Sequence, residues 1–295
     1  MTQPAHRQNK YAALKKQTAG KTAVFLAVLI LFIPCAASGF GLGVAPMTTE
    51  IEAKAGSFYR RTVKVGNGGR KNLQVSIGTA DWKMDKNGEL VLMEPGAMPY
   101  SGASWLNFSP ANLMLKPGET KQVIIDIQVP RKNEGPGDYR AALLIKTLLP
   151  PDLSQFNVKG VWNLYEIASL FYIIINPVKP DTRIISASVQ ESDQEGPNIL
   201  MEFENKGSRH DRLRGEIRFM GSDRETKEVL TVTDVVVLDN HNLHRRFSIK
   251  KQLEALPPGT FSIKADLVNS RGSRITGFPD TITIKKETGN TNLKP

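Results

Sequence analysis

Residues 108–130 read FSPANLMLKPGETKQVIIDIQVP, and the fold turns on how this stretch is interpreted. In its last ten residues Val123, Ile125, Ile127 and Val129 share one face of an extended chain. Gln122, Ile124, Asp126 and Gln128 share the other. Apolar residues at every second position describe a strand with one side on a core. Pro117-Gly118 ahead of it suits a type II turn, with proline presetting the first corner and glycine taking the positive φ of the second. Pro130 closes the strand because proline has no N–H to give to a ladder. The stretch therefore predicts a short core strand entered by a tight turn and stopped by proline.

The same grammar extends in both directions. Upstream, SFYRRTVKVGN (57–67) runs into a turn at Asn67-Gly68, and KNLQVSIGTADWKM (71–84) meets LVLM (90–93) across Asn87-Gly88, a strong hairpin signal. SWLNFSP, ANLML, GDYRAALLIKTLL and YEIASLFYIIIN complete a first set of strands. After INPVKPDT (175–182) a second set begins: TRIISASVQ, NILMEFEN, GEIRFM, EVLTVTDVVVL, RRFSIKK, GTFSIKADLVN and PDTITIKK. NKGSRHDRLRG (205–215) reads as a turn-rich crossing. Each set has a late strand opened by one device, Pro136-Gly137-Asp138-Tyr139 in the first and Pro258-Gly259-Thr260-Phe261 in the second. A tight turn there delivers an aromatic ring to the base of a core. Many short strands with regular turns predict an all-β protein of two immunoglobulin-like β-sandwiches in tandem.

The beginning of the chain is of another kind. Residues 1–21 carry Arg7, Lys10, Lys15, Lys16 and Lys21 without an acid, Ala23 to Ile33 are almost wholly apolar, and small residues follow Pro34. That order is the signature of a secretory signal peptide. The expected organisation is a signal peptide over 1–39, a first sandwich over 40–177, a second over 178–286 and a polar, disordered tail over 287–295. The protein is expected to be exported, with the periplasm as its place. An uncleaved leader would make it membrane-anchored, and the cell surface is the other alternative. Cys35 is the one cysteine of the sequence, and Phe32-Ile33-Pro34 before it do not fit a lipoprotein signal. The mature chain then has no disulfide and no thiol catalyst, and its cores hold by packing.

Charge and chemistry narrow the function. The formal net charge of +10 falls to about +5 with the leader removed. The remaining bases are scattered, without the aromatic-interleaved stripe of a nucleic-acid binder. His241 and His244 lie three apart beside Asp239, a spacing that on a strand or turn does not converge two imidazoles on a metal. No nucleophile motif or phosphate-binding glycine loop occurs. Asp81 and Asp85 have no visible cleft, and Trp82, Trp105 and Trp162 read as core fillers before they read as a stacking platform. The expectation is a protein-binding protein, not an enzyme, with no cofactor, no metal and no nucleic-acid partner.

The strand ending in VGN, then SWLNFSPANLMLKPGETKQVIIDIQVP and GDYRAALLI, resembles the first domain of the periplasmic pilus-assembly chaperones, the PapD-like family. FENKGSRHDRLRGEIRF and LPPGTFSIKADL resemble its second domain, so the likeness spans about residues 42–286. It implies a chaperone that lends a strand edge to pilus or surface-structure subunits by strand addition. An outer-membrane assembly protein is a further implied partner, and the protein would act as a monomer or in a one-to-one complex. The candidate lending strand is 165–176, with Ile167, Phe171, Ile173 and Ile175 on one face. Its two faces are both apolar, so it is either fully buried or waiting for a partner. The resemblance also implies a basic pair that anchors a subunit's terminal carboxylate. Thr48, Thr49 and Tyr172 stand near the places of that pair, leaving Arg60, Arg61 and Lys159 as candidate anchors. The alternative function is a structural or adhesive component of a surface or envelope assembly.

Overall fold

The computed structural model describes residues 41–131, 135–148, 164–192, 196–278, 282–287 and 290–294. At its centre β3 (Phe58–Asn67) and β8 (Thr120–Gln128) pair antiparallel, with Val63 opposite Val123. Val63, Val65, Val123, Ile125 and Ile127 are all fully buried, so the alternation read in residues 121–130 is the inner face of a sheet. The Pro117-Gly118 turn has Gly118 at φ +74°, the left-handed region that favours glycine. Its N–H donates to the carbonyl of Asn67 at 2.8 Å.

β1 (Leu42–Ala45) and β6 (Leu106–Ser109) flank this pair, giving the order β1-β3-β8-β6. The opposing sheet runs β2 (Thr48–Ala53), β10 (Glu166–Ile175), β9 (Gly137–Thr147), β4 (Leu73–Met84), β5 (Leu90–Met93), with β7 (Asn112–Leu115) also on β4. The first strand thus serves both layers. β1 pairs antiparallel with β3, the chain crosses at Pro46, and β2 then runs parallel to β10. Leu115, Leu143, Ile145, Phe171, Ile173, Trp105 and Tyr139 fill the space between the sheets.

The second sandwich repeats the plan. β11 (Thr182–Ser192), β12 (Gly196–Asn205) and β15 (His241–Ser248) form one sheet. The other has the order β14 (Thr226–Val237), β13 (Asp211–Met220), β16 (Gly259–Val268), β17 (Ile282–Glu287), β18 (Asn290–Lys294). Ile199, Met201, Phe203, Ile217, Phe219 and Ile263 form its core, and Leu253 of the short helix α1 (Lys250–Ala255) joins them. The two aromatic residues delivered by Pro-Gly turns, Tyr139 and Phe261, are buried in their respective cores. A second shared device is a buried asparagine at the end of a long strand, Asn67 of β3 and Asn205 of β12. Asn67 Nδ2 donates to the carbonyls of Lys71 and Leu115, while Asn205 Nδ2 donates to those of Arg209 and Val237. Each side-chain oxygen accepts from the residue two further on, Gly69 or Gly207. Both asparagines pin an irregular crossing whose main chain would otherwise lack partners.

Two expectations change. Residues 211–215 belong to β13, with Leu213 entering the core ahead of Ile217 and Phe219. Residues 290–294, read as tail, pair with β17 as β18, since ladder bonds use main-chain groups and need no apolar side chains. Ile125→Ala should destabilise the protein by about 2–5 kcal/mol in urea unfolding, because Ile125 is fully enclosed by both sheets.

Candidate functional site: the edge of β10 and the seam between the sandwiches

β10 is hydrogen-bonded on one side to β9 along its whole length. On the other side β2 covers Leu170 to Ile175 and no further. Leu170 N–H donates to the Met47 carbonyl at 2.8 Å, so even-numbered main-chain groups of β10 face β2. By the alternation of an extended chain, those of Glu166 and Ala168 face the same side, where no strand pairs with them among the described residues. The boundary is marked by Ser169, whose Oγ donates to the Pro46 carbonyl at 2.7 Å. Leu164 and Met47, the latter at the crossing between the sheets, expose more than half of their surface near this open half-edge.

The side chains of the strand lie differently from an open apolar edge. Phe171, Ile173 and Ile175 are buried in the first core, and Ile167 packs against it from a partly buried position. The opposite face is also covered. Tyr172, with Ala168 and Leu170 beside it, packs on Trp82, Ala80, Ala142 and Leu144, and Leu238 from the second sandwich closes over them. A strand apolar on both faces is here buried on both faces, so Phe171, Ile173 and Ile175 present nothing to a partner. The reason is β2, which takes the edge position along that half. Of the four candidates Ile167 alone lies beside open edge.

Two of the basic candidates, Arg60 and Arg61, lie away from β10. Arg60 lies on the facing sheet and makes a bidentate pair with Asp126 at 2.7 and 2.8 Å. Neighbouring Arg61 sits 5.9 Å from the Tyr59 ring centre. Lys159 lies outside the described residues, as does Trp162. Trp82 and Trp105 are core fillers, one under the seam and one inside the first sandwich. His241 and His244 do not converge. His241 Nε2 meets the Asp85 carbonyl at 3.1 Å, and His244 faces Glu202. No group of three or more His, Cys, Asp or Glu side chains suited to a metal occurs among the described residues.

Cations reach β10 and β2 from the second sandwich instead. Arg209 Nη1 donates to Glu52 Oε1 at 2.7 Å. Arg212 bonds Glu50 through Nε and Asp234 through Nη1, with its guanidinium over the Tyr172 ring. His210 lies between Asp138, 2.6 Å from Nδ1, and Glu50, 3.2 Å from Nε2. A second buried pair, Arg140 with Asp239, spans the seam beside Trp82. The 85–89 hairpin turn completes it, its Lys86 carbonyl accepting from His244 N–H at 2.6 Å. His210, followed by Arg212, holds the Glu50 carboxyl down at about 2, against the cost of its burial. Burial pushes the Tyr172 hydroxyl well above its ordinary range. Sequence reading missed this network, although a signal was present. Asp138 and Arg140 are charges at the start of a strand that is apolar on both faces from Ala141 to Ile145, which demands buried partners.

Fold and site together define a tandem two-sandwich β protein in which, among the described residues, half of the β10 edge is unpaired and a charged, largely buried seam joins the sandwiches. No protein-family model and no curated protein sequence matches this chain. Fimbrial chaperones are among the solved structures similar to it. A chain of the CsuC–CsuE chaperone–tip adhesion subunit pre-assembly complex, from the archaic chaperone-usher Csu pili of Acinetobacter baumannii, is 16% identical with a TM-score of 0.41. The match covers 77% of this chain and 97% of that one. The class 5 fimbriae chaperone CfaA is 10% identical with a TM-score of 0.39, over 80% and 99% of the two chains. The CupB2 chaperone of Pseudomonas aeruginosa is 10% identical with a TM-score of 0.38, over 79% and 96%.

Asp239→Ala strands the buried Arg140 guanidinium without its counter-charge and should cost about 3–5 kcal/mol in chemical unfolding. Replacing both partners with apolar residues of similar volume should recover most of that loss.

Proposed function

We propose that this protein is a chaperone-like protein of the exported compartment that binds β-rich subunits of a pilus or other surface structure. The carrying observation is the half-edge of β10 from Glu166 to Ser169, which no strand pairs among the described residues where β2 stops. A subunit whose own sandwich lacks a strand could pair with the outward main-chain groups of Glu166 and Ala168, in the manner of strand addition. Ile167 then lies at the junction of the two cores, and Leu164 and Met47 supply apolar surface beside the added strand. β2 sets the lower limit of this site, because the ladder positions from Leu170 onward are already taken. The reading assigns binding without chemistry.

Ala168→Pro tests the proposal while sparing the fold. Proline removes an N–H that points to the open side, which edge strands tolerate. The tagged mature protein, recovered natively from the exported fraction, should carry one subunit per copy. With Ala168→Pro that recovery should fall about tenfold or more, a loss of about 1.4 kcal/mol in affinity, while the melting curve stays near that of the parent. Phe171→Asp should instead unfold the first sandwich, since that side chain is fully enclosed. A partner retained undiminished by the proline variant, or held in a fixed envelope assembly, would overturn strand addition and favour a structural component.

A further inference from the structure

His210 is closed in on both sides by carboxylates. Its Nδ1 is 2.6 Å from Asp138 Oδ2 and its Nε2 is 3.2 Å from Glu50 Oε1. An ionised carboxylate only accepts hydrogen bonds, and a neutral imidazole carries a single N–H. Both contacts are therefore hydrogen bonds only when the ring carries two protons. The His210 main-chain N–H adds a third bond to the same Asp138 Oδ2 at 2.8 Å. Asp138 Oδ1 has no hydrogen-bond partner among the described residues, so the imidazolium is the charge that makes this buried carboxylate tolerable. Water cannot relieve a bare ring lone pair here, because the ring is buried and its centre lies 4.1 Å from that of Tyr172.

The surroundings are charged on every side. Asp138 and Arg140 come from β9, Glu50 and Glu52 from β2, and Tyr172 from β10. Arg209, Asp211 and Arg212 belong to the segment of His210 itself, and Asp234 on β14 holds Arg212 from behind. Asp138 and Glu50 are on the first sandwich and His210 is on the second, so each of these bonds crosses the seam.

We propose that His210 is a proton-operated clamp between the two sandwiches: doubly protonated, it holds the second against β2 and β9, and loss of one proton loosens the seam. The direction follows from linkage. Burial opposes the protonated ring, but the bonds to Asp138 and Glu50 outweigh it and raise its pKa above the ordinary 6.5. That contribution is complete below the ordinary value and is lost as pH rises through the raised one. Glu50 works in the opposite sense. Its pKa falls from 4.5 to about 2, so its share is complete above 4.5 and is lost as pH falls towards 2. The clamp is tightest between 4.5 and 6.5, and it opens on the alkaline side.

Trp82 is a built-in reporter, being fully buried under the seam against Tyr172 and the Leu238 cluster. Its fluorescence in the full chain, taken as the difference from a Trp82→Phe variant, reads seam opening directly. Raising pH from about 6 to about 9 should shift its emission to the red and increase acrylamide quenching about threefold, as His210 loses its proton. His210→Gln should abolish the titration, and Glu50→Gln should move its midpoint down by about one pH unit. A flat response in the parent chain, or an unchanged titration in His210→Gln, would overturn the clamp; the latter would assign the titration to another group such as His241. If His210→Gln does not fold, Glu50→Gln decides, and an unmoved midpoint there counts against the proposal.

Discussion

β10 has to satisfy two apolar environments at once, and most of the molecule is arranged around that demand. Its odd-numbered side chains complete the first core, while Ala168, Leu170 and Tyr172 lie under a cluster closed by the second sandwich. A strand buried on both faces cannot leave its main-chain groups unpaired without cost. β9 satisfies one side, and β2 satisfies the lower half of the other by leaving the first sheet at Pro46. Among the described residues the upper half has no strand beside it, because β2 is short. Six residues of β2 reach Leu170 and stop. The half-paired edge and the docking surface for the second sandwich therefore share one strand.

The seam is costly in charge. Asp138, Arg140, His210 and Asp239 are all buried or nearly so. Carboxylates and guanidinium groups taken from water are stable only in good geometry with their remaining lone pairs answered, and such pairs contribute more to orientation than to net stability. Here the Asp138–His210 and Arg140–Asp239 pairs both span the two sandwiches, which fixes how they face each other. An apolar seam of the same size would slide more freely, because apolar contact is non-directional. The same directionality makes the seam sensitive to protons at His210, whose two bonds require a charge that is lost on the alkaline side.

Much of the fold was legible because its signals are local. Val123 to Val129 alternate, Gly118 follows proline, and Asn87-Gly88 sits between two strands; each depends on bonds and sterics within a few residues. The Pro-Gly-X-aromatic openings at Tyr139 and Phe261 were legible as core closures for the same reason. The site was less legible. Phe171, Ile173 and Ile175 have the composition of a lending edge and of a core strand alike, since both require alternating bulky apolar residues. What separates them is whether a neighbour occupies the edge, and that neighbour, β2, lies more than a hundred residues earlier. Arg60 and Arg61 were plausible anchors by charge alone, yet Arg60 is paired with Asp126 across a strand of the other sheet.

By itself the sequence determined two β-sandwiches, their turns, the inner faces of their strands and the residues that close each core, because periodicity and turn chemistry act at short range. It also put unneutralised charges into an apolar strand at Asp138 and Arg140. Only the tertiary structure decided which groups answer those charges, which half of β10 is left open among the described residues, and that His210 stands at the seam while Arg60 pairs with Asp126 on the facing sheet. Those outcomes depend on which strands become neighbours, and strand order is set by packing between segments far apart in the chain, where no local pattern records it.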